Sequence, residues 1–483
     1  MKRFSPKMDA MTRRQLLTGG AAAASATALS TLLDFRLTKA ALAASGNTDG
    51  YKALVCLFFN GGIDSHNMMA PYDQAEYNDY VTVRGAPGTP GGLALPKETG
   101  GANDLLPISD STGRQFGIHP GMPEIRDLYN SGDLAFLSNI GSLIVPTDKS
   151  SYNNRLDIPL GIYSHSDMQR HWQTTVPQSR SQLTGWAGRM GDCLTDPANS
   201  TPSIGLNIAI NNLNVMQTGD DIVPYVVHET GAAQLLSGYQ GTNARNRILT
   251  RVSDSLYLQT YSDLLQQTHA NVSSDAIDAA ITFNAAVNDV QVSTPFPNTQ
   301  MGRRLNMVAR TIAARSTLAQ SRQMFFVSRG GWDHHRNLIG GQAVMMPEVS
   351  QAINAFKLAL EELGVYDDVT TFGISDFART CTSNGQGSDH GWGGNTLAFG
   401  GSVKGGQVYG HYPHSLLNAT GPDGGDINTG RGRYIPTMSV DEYYAELAMW
   451  FGVSDGPDLE TILPNLRNFV SAGSGSHPIG FMS

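Results

Sequence analysis

The chain has 483 residues, with 33 Lys or Arg against 42 Asp or Glu and a formal net charge of −9. That acidic balance, with no basic patch interleaved with aromatics, argues against a nucleic-acid surface. Three cysteines (Cys56, Cys193, Cys381) without a C-x-x-C spacing exclude a thiolate zinc site of that type.

The first element is a leader. "TRRQLL" at 12–17 opens a stretch rich in Ala, Gly, Ser and Thr that ends small-x-small at Ala41-Leu42-Ala43. Paired Arg13 and Arg14 make this the pattern of a twin-arginine export signal, residues 1–43. The stretch is short and weakly apolar beside the roughly 20 strongly apolar residues of a spanning helix. Cleavage near Ala43 is therefore expected, with the twin-arginine translocase as export partner and the periplasm or the extracellular space as destination. Residues 44–483 then keep 26 basic against 40 acidic residues, a net charge of −14, and no later segment apolar enough to span a membrane. Cys56 lies in an apolar strand pattern. Cys193 and Cys381 are of a kind that can close a disulfide in an oxidising compartment, which the sequence leaves open.

"YKALVCLFFNGG" (51–62) is a short apolar run ending in glycines, the pattern of a strand buried on both faces. "HPGMPEIRDLYNSG" (119–132) reads as a helix with Pro near its start and Gly past its end, and "DLAFLSNIG" as the next strand. Residues 200–300 are less regular: 202–227 alternate apolar and polar, and 243–290 have helical period. They are expected to form an insertion or cap. "GRRLNMVARTIAARSTL" (302–318) predicts a helix and "QMFFVSRGG" a strand. "MPEVSQAINAFKLALEELG" (346–364) predicts an amphipathic helix with Ile353, Phe356, Leu360 and Leu363 on one stripe, and "DVTTFGISD" the strand after it. Repeated alternation of helix and strand predicts an α/β fold, a doubly wound and mainly parallel sheet over residues 44–483.

Asp and His gather where these strands end. Strand one ends in "NGGIDSHN", with Asp64. The strand before the 346–364 helix ends in "RGGWDHHRN", with Asp333 and His335. The strand after it ends in "SDFARTCTSNGQGSDHGWGG", with Asp376, Arg379, Asp389 and His390. Open parallel sheets bind ligands beyond the carboxyl ends of their strands, so these groups are expected to face one crevice. Each has a plainer reading, since Asp after Gly-Gly caps helices or fixes turns. Together they predict a metal site, and carboxylate with imidazole suits Zn²⁺ or Mn²⁺, while a carboxylate-and-water set suits Mg²⁺ or Ca²⁺. "IYSHSDMQRHWQT" (162–174) adds Ser164 and His165 at the start of a helix, where a nucleophile would meet an anionic substrate and where a plain N-cap would also sit.

These segments, with "GIHPGMPEIRDLYNSGDLA", "GGSVKGGQVYG" and "RGRYIPTMSVDEYYAELAMWFGV", resemble the domain-of-unknown-function family 1501, exported bacterial proteins grouped with the alkaline phosphatase and sulfatase superfamily. The resemblance implies an alkaline-phosphatase-like sheet with a metal cluster at its carboxyl edge and hydrolysis of small anionic phosphate or sulfate esters. It implies Asp64 as the first Asp, Ser164 as nucleophile, and Asp333 with His335 or Asn337 at one metal. Asp376 and His390 then match the later ligands, with Asp389 beside them. Arg379 would clamp the substrate oxygens, and His390 or His165 would protonate the leaving group. Two departures stand out: Phe377 follows Asp376 where phosphatases have His, and His335 lies two residues past Asp333 rather than four. These departures leave a site with one metal rather than two, or with none that is catalytic. The competing function is an exported binding or envelope-assembly protein whose cluster holds a structural ion.

Overall fold

The computed structural model describes residues 50–199, 204–232, 239–471 and 477–483. The export signal expected at 1–43 lies outside the described residues.

The core is one ten-stranded sheet. Its strands are β1 (Lys52–Asn60), β2 (Leu134–Gly141), β3 (Asn207–Ile210), β4 (Tyr225–His228), β5 (Gly231–Ala232), β6 (Arg322–Gly330), β7 (Val369–Ser375), β8 (Gly394–Phe399), β9 (Val408–Gly410) and β10 (Met438–Ser439). The order is β9-β2-β8-β7-β1-β6-β3-β4-β5, with β10 also on β2. β1 runs parallel to both β6 and β7, β3 parallel to β6 and β4, whereas β8 runs antiparallel to β7 and β2. The sheet is therefore mainly parallel, as expected, with one reversed strand inside it.

Central position explains the apolar run of β1. Ala53, Val55, Leu57 and Phe59 point into one core, and Leu54, Cys56 and Phe58 into the other, the two-residue period of a strand covered on both faces. The helices used below are α1 (His165–Thr174), α2 (Ala244–Tyr257), α3 (Leu264–Asp289), α4 (Gln300–Ala313), α5 (Leu338–Glu362) and α6 (Val440–Phe451). α4 and α5 cover the first face and α6 the second. α5 begins eight residues before the expected start and carries Pro347 inside it. The segment expected as a cap divides in two. Residues 207–232 supply β3, β4 and β5 and extend the main sheet, because their alternating pattern finds an open edge at β6. Among the described residues, the helical part of the segment is α2 and α3. Cys381 is a buried free thiol, so it is not bonded to Cys193. Among the described residues no helix is long and apolar enough to cross a membrane.

Three buried histidines set an acid limit on this fold. Burial holds His66, His119 and His171 down to about 4 from an ordinary 6.5. They are neutral when folded, whereas the unfolded chain takes up their protons below pH 6.5. Their contribution is complete above that pH and is lost as pH falls toward 4. Asp441, pushed up to about 7 by burial, acts with the opposite sign, one proton against three. Unfolding free energy from denaturant titration is expected to fall steadily between about pH 7 and 4.5; a flat profile would contradict neutral burial of the three rings.

Candidate metal centre

β6, β1 and β7 are adjacent and parallel, so the loops after them leave the same edge. Two glycines let these loops touch. At Gly61 (φ +121) an added Cβ would sit 2.7 Å from the Asp333 backbone nitrogen, and at Gly62 (φ +79) one would sit 2.4 Å from the Phe377 ring. Glycine alone tolerates both the backbone angle and the closeness. α1 brings its first residue, His165, to the same place.

Three imidazoles meet one carboxylate there. His165 Nδ1 lies 2.6 Å from Asp376 Oδ2, His335 Nδ1 3.1 Å from Asp389 Oδ1, and His390 Nδ1 2.7 Å from the Tyr163 carbonyl oxygen. A carboxylate or carbonyl can only accept, so each Nδ1 carries a proton, and deprotonation at Nε2 leaves a lone pair there; at His335 both ring nitrogens face a carboxylate. Those Nε2 atoms converge. His335 Nε2 is 2.9 Å from His390 Nε2 and 3.1 Å from Asp333 Oδ1. His390 Nε2 is 3.5 Å from Asp333 Oδ1, and His165 Nε2 is 3.5 Å from Asp333 Oδ2. His165, Asp333 and His390 offer ligand atoms within 4.8 Å of one another, and His165 Nε2 is buried without a hydrogen-bond partner. Two ring nitrogens at 2.9 Å share either a proton or a cation. Nitrogen and carboxylate donors held from behind by hydrogen bonds are how proteins prepare a divalent metal site, so the residues fit the group.

The electrostatics agree. The hydrogen bond from His165 to Asp376 raises the pKa of His165, making its Nε2 a better donor to a metal. Burial lowers that of His390 and favours the neutral ring. Burial pushes Asp333 up, but Arg379 and the neighbouring histidines outweigh it and keep the carboxylate ionised. Asp389 is likewise held at about 2 despite its burial, by Asn384, His335 and Arg431. The cluster is open to solvent on one side, with the Asp333 side chain 44 % and the His335 side chain 42 % exposed.

The profile of the family described as "Protein of unknown function (DUF1501)" matches residues 51–422, which include every residue of this cluster except Arg431. The chain belongs to the DUF1501 family. No curated protein matches it. Among solved structures it is similar to the PsFucS1 sulfatase from Pseudoalteromonas sp., at 11 % identity and a TM-score of 0.33 over 84 % of this chain and 69 % of that one. It is also similar to Ps i-CgsB in complex with k-i-k-neocarrahexaose, at 10 % identity and a TM-score of 0.31 over 86 % of this chain and 74 % of that one.

Within this DUF1501 chain, Asp333, His335 and His390 come together, and His165 joins them with its Nε2 toward Asp333. Asp376 and Asp389 stand behind the cluster. Asp376 accepts from His165, from Gln169 Nε2 at 2.9 Å and from the Gly61 N–H at 3.0 Å, so its oxygens are committed. Asp64 is not brought in. It is fully buried in an ion pair with Arg84, and its second oxygen caps the His66 N–H. Arg379, expected to clamp substrate, is buried and spends its donors on Asp333 Oδ1 at 2.5 Å and on Ser388. Ser164 is the N-cap residue of α1 but makes no side-chain cap bond; its Oγ lies 3.1 Å from Ser166 Oγ. Phe377, which follows Asp376, packs its ring centroid 4.7 Å from that of His165 and 4.5 Å from that of His390. Two supporting groups are missing from the sequence reading. Gln169 lies one helical turn after His165, a spacing visible in the sequence. The Tyr163 carbonyl, presented by a left-handed residue (φ +74), has no sequence signature at all.

Proposed function

We propose that the chain is a hydrolase of phosphate or sulfate esters working with one divalent metal ion held by His165, Asp333, His335 and His390. The observation that carries this is the convergence of three Nε2 atoms on the Asp333 carboxylate, each ring fixed from behind at Nδ1. When bound, such an ion polarises an ester oxygen and makes water a better nucleophile at neutral pH. The protein's share is orientation. Asp376, Asp389 and the Tyr163 carbonyl hold three protons at Nδ1, and Arg379 holds the Asp333 carboxylate ionised and aimed. His165 opens α1, whose free N–H groups and dipole favour an anionic substrate at that end. Strand-end motifs like those of the alkaline phosphatase and sulfatase superfamily support the ester class. A closed shell would suit a structural ion; the exposure of Asp333 and His335 supports a site that meets a ligand.

The test is turnover of chromogenic phosphate and sulfate esters by the purified mature chain. Hydrolysis of one of them, abolished by chelator and restored by added divalent metal, is expected; no turnover of either by metal-replete protein would sink the enzyme reading in favour of a binding protein. Because Ser164 Oγ is engaged with Ser166 rather than with the cluster, water is the proposed nucleophile. Ser164→Ala should keep turnover close to that of the parent, and since its hydroxyl makes no cap bond, stability should change little as well. A collapse of turnover in a folded Ser164→Ala chain would restore the serine as nucleophile.

Export is proposed on Arg13 and Arg14 with the small-x-small end at Ala43. Arg13→Lys with Arg14→Lys should leave uncleaved precursor in the cytoplasm, and normal processing of that variant would refute the twin-arginine route.

A further inference from the structure

α2 and α3 form a hairpin whose inner faces meet and whose outer faces are left apolar. Ser253 is buried along α2 and Ala270, Ser273 and Ile277 along α3. Ile248, Val252 and Leu256 are instead 62, 51 and 49 % exposed, and their spacing of four places them on one stripe of α2. On α3, Leu264 and Leu265 are each 79 % exposed and Val272 is 62 %. Scattered exposed aliphatics need no explanation, but such a concentration on one hairpin marks a surface that meets something.

Charge says what it meets. α2 exposes Arg245, Arg247 and Arg251, while α3 exposes Asp275 and Asp278. None of the five has an ion-pair partner among the described residues. Leu264, Asn271 and Asp278 repeat at seven residues, with Thr268, Val272 and Asp275 between them, so the apolar and acidic groups of α3 share one face. One helix is apolar and basic, the other apolar and acidic, in a single element. Such a surface is complementary to itself under a two-fold axis.

We propose that this hairpin is the dimer contact of the chain, with α2 of one copy lying on α3 of a second copy and the reverse contact made by symmetry. Arg247 and Arg251 of one copy then meet Asp275 and Asp278 of the other across a strip of aliphatic side chains. A lipid surface fits less well, because the anionic headgroups that attract the arginines repel Asp275 and Asp278 on the same hairpin. The contact is independent of the metal centre and of the hydrolase reading.

Sedimentation velocity on the mature chain tests it. A dimer is expected, and Arg247→Glu with Arg251→Glu should raise its dissociation constant at least about tenfold, as should Asp275→Arg with Asp278→Arg. All four positions are exposed, so the circular dichroism of the folded chain should be unchanged. Mixing the two reversed chains should restore a heterodimer, and placing all four substitutions in one chain should restore a homodimer. A parent chain that stays monomeric at its highest soluble concentration would overturn the proposal. So would a dimer indifferent to either reversal, or a monomer that co-sediments with phosphatidylserine vesicles.

Discussion

His165→Ala should purify folded and without metal. The ring contributes the buried Nε2 that has no partner in the protein, and its removal leaves the remaining donors to be completed by solvent. Ester hydrolysis should fall to the level of chelated parent protein, while the thermal midpoint moves little, since the side chain is 31 % exposed. A graded companion separates this from a general disturbance of the sheet edge. Asp376→Asn keeps the volume and an acceptor for His165 Nδ1 but withdraws the negative charge behind the ring. Outer groups of this kind are worth about 10–100-fold in metal affinity. Competition with a chromogenic chelator should therefore rank the chains as parent, then Asp376→Asn, then His165→Ala. Unchanged affinity in His165→Ala would remove this ring from the ligand set.

Arg84→Met should be the most damaging single change to stability. Arg84 and Asp64 are both fully buried and ion-paired, and Arg84 also donates to the Cys381 carbonyl at 3.3 Å. Breaking such a pair from one side strands a charge without solvent and costs about 3–5 kcal/mol. Asp64→Asn added to Arg84→Met removes the stranded charge and keeps an oxygen to cap the His66 N–H, so most of the loss should return. Denaturant titration of the three chains reads this directly. The double variant should also keep its metal, because neither side chain reaches the cluster. A folded double variant without metal would return Asp64 to the ligands.

The contrast between Asp64 and Asp333 shows what the sequence made legible. The strands were readable because burial on both faces writes itself as an unbroken apolar run, as in β1 and β6. Their carboxyl ends were readable because Gly-Gly pairs stop those runs and polar side chains follow. Which of the four aspartates faces the cluster was not readable. Asp64, Asp376 and Asp389 are bound by Arg84, His165 and His335, partners from other turns of the chain. Local pattern carries no record of such pairings. The same holds for β3 to β5, short strands whose place depends on the open edge of β6 and not on their own composition. His165 reads as a candidate acid because a histidine at a helix start fits several roles, and only the Asp376 contact behind its Nδ1 decides which nitrogen faces the crevice.

Elemental analysis of the purified mature chain, after incubation with Zn²⁺, Mn²⁺, Mg²⁺ or Ca²⁺ and removal of excess, tests the central claim most directly. Three imidazoles converging on one carboxylate predict one equivalent of one of these ions per chain, absent from His390→Ala. No bound ion under any of the four conditions, or two per chain, would contradict it.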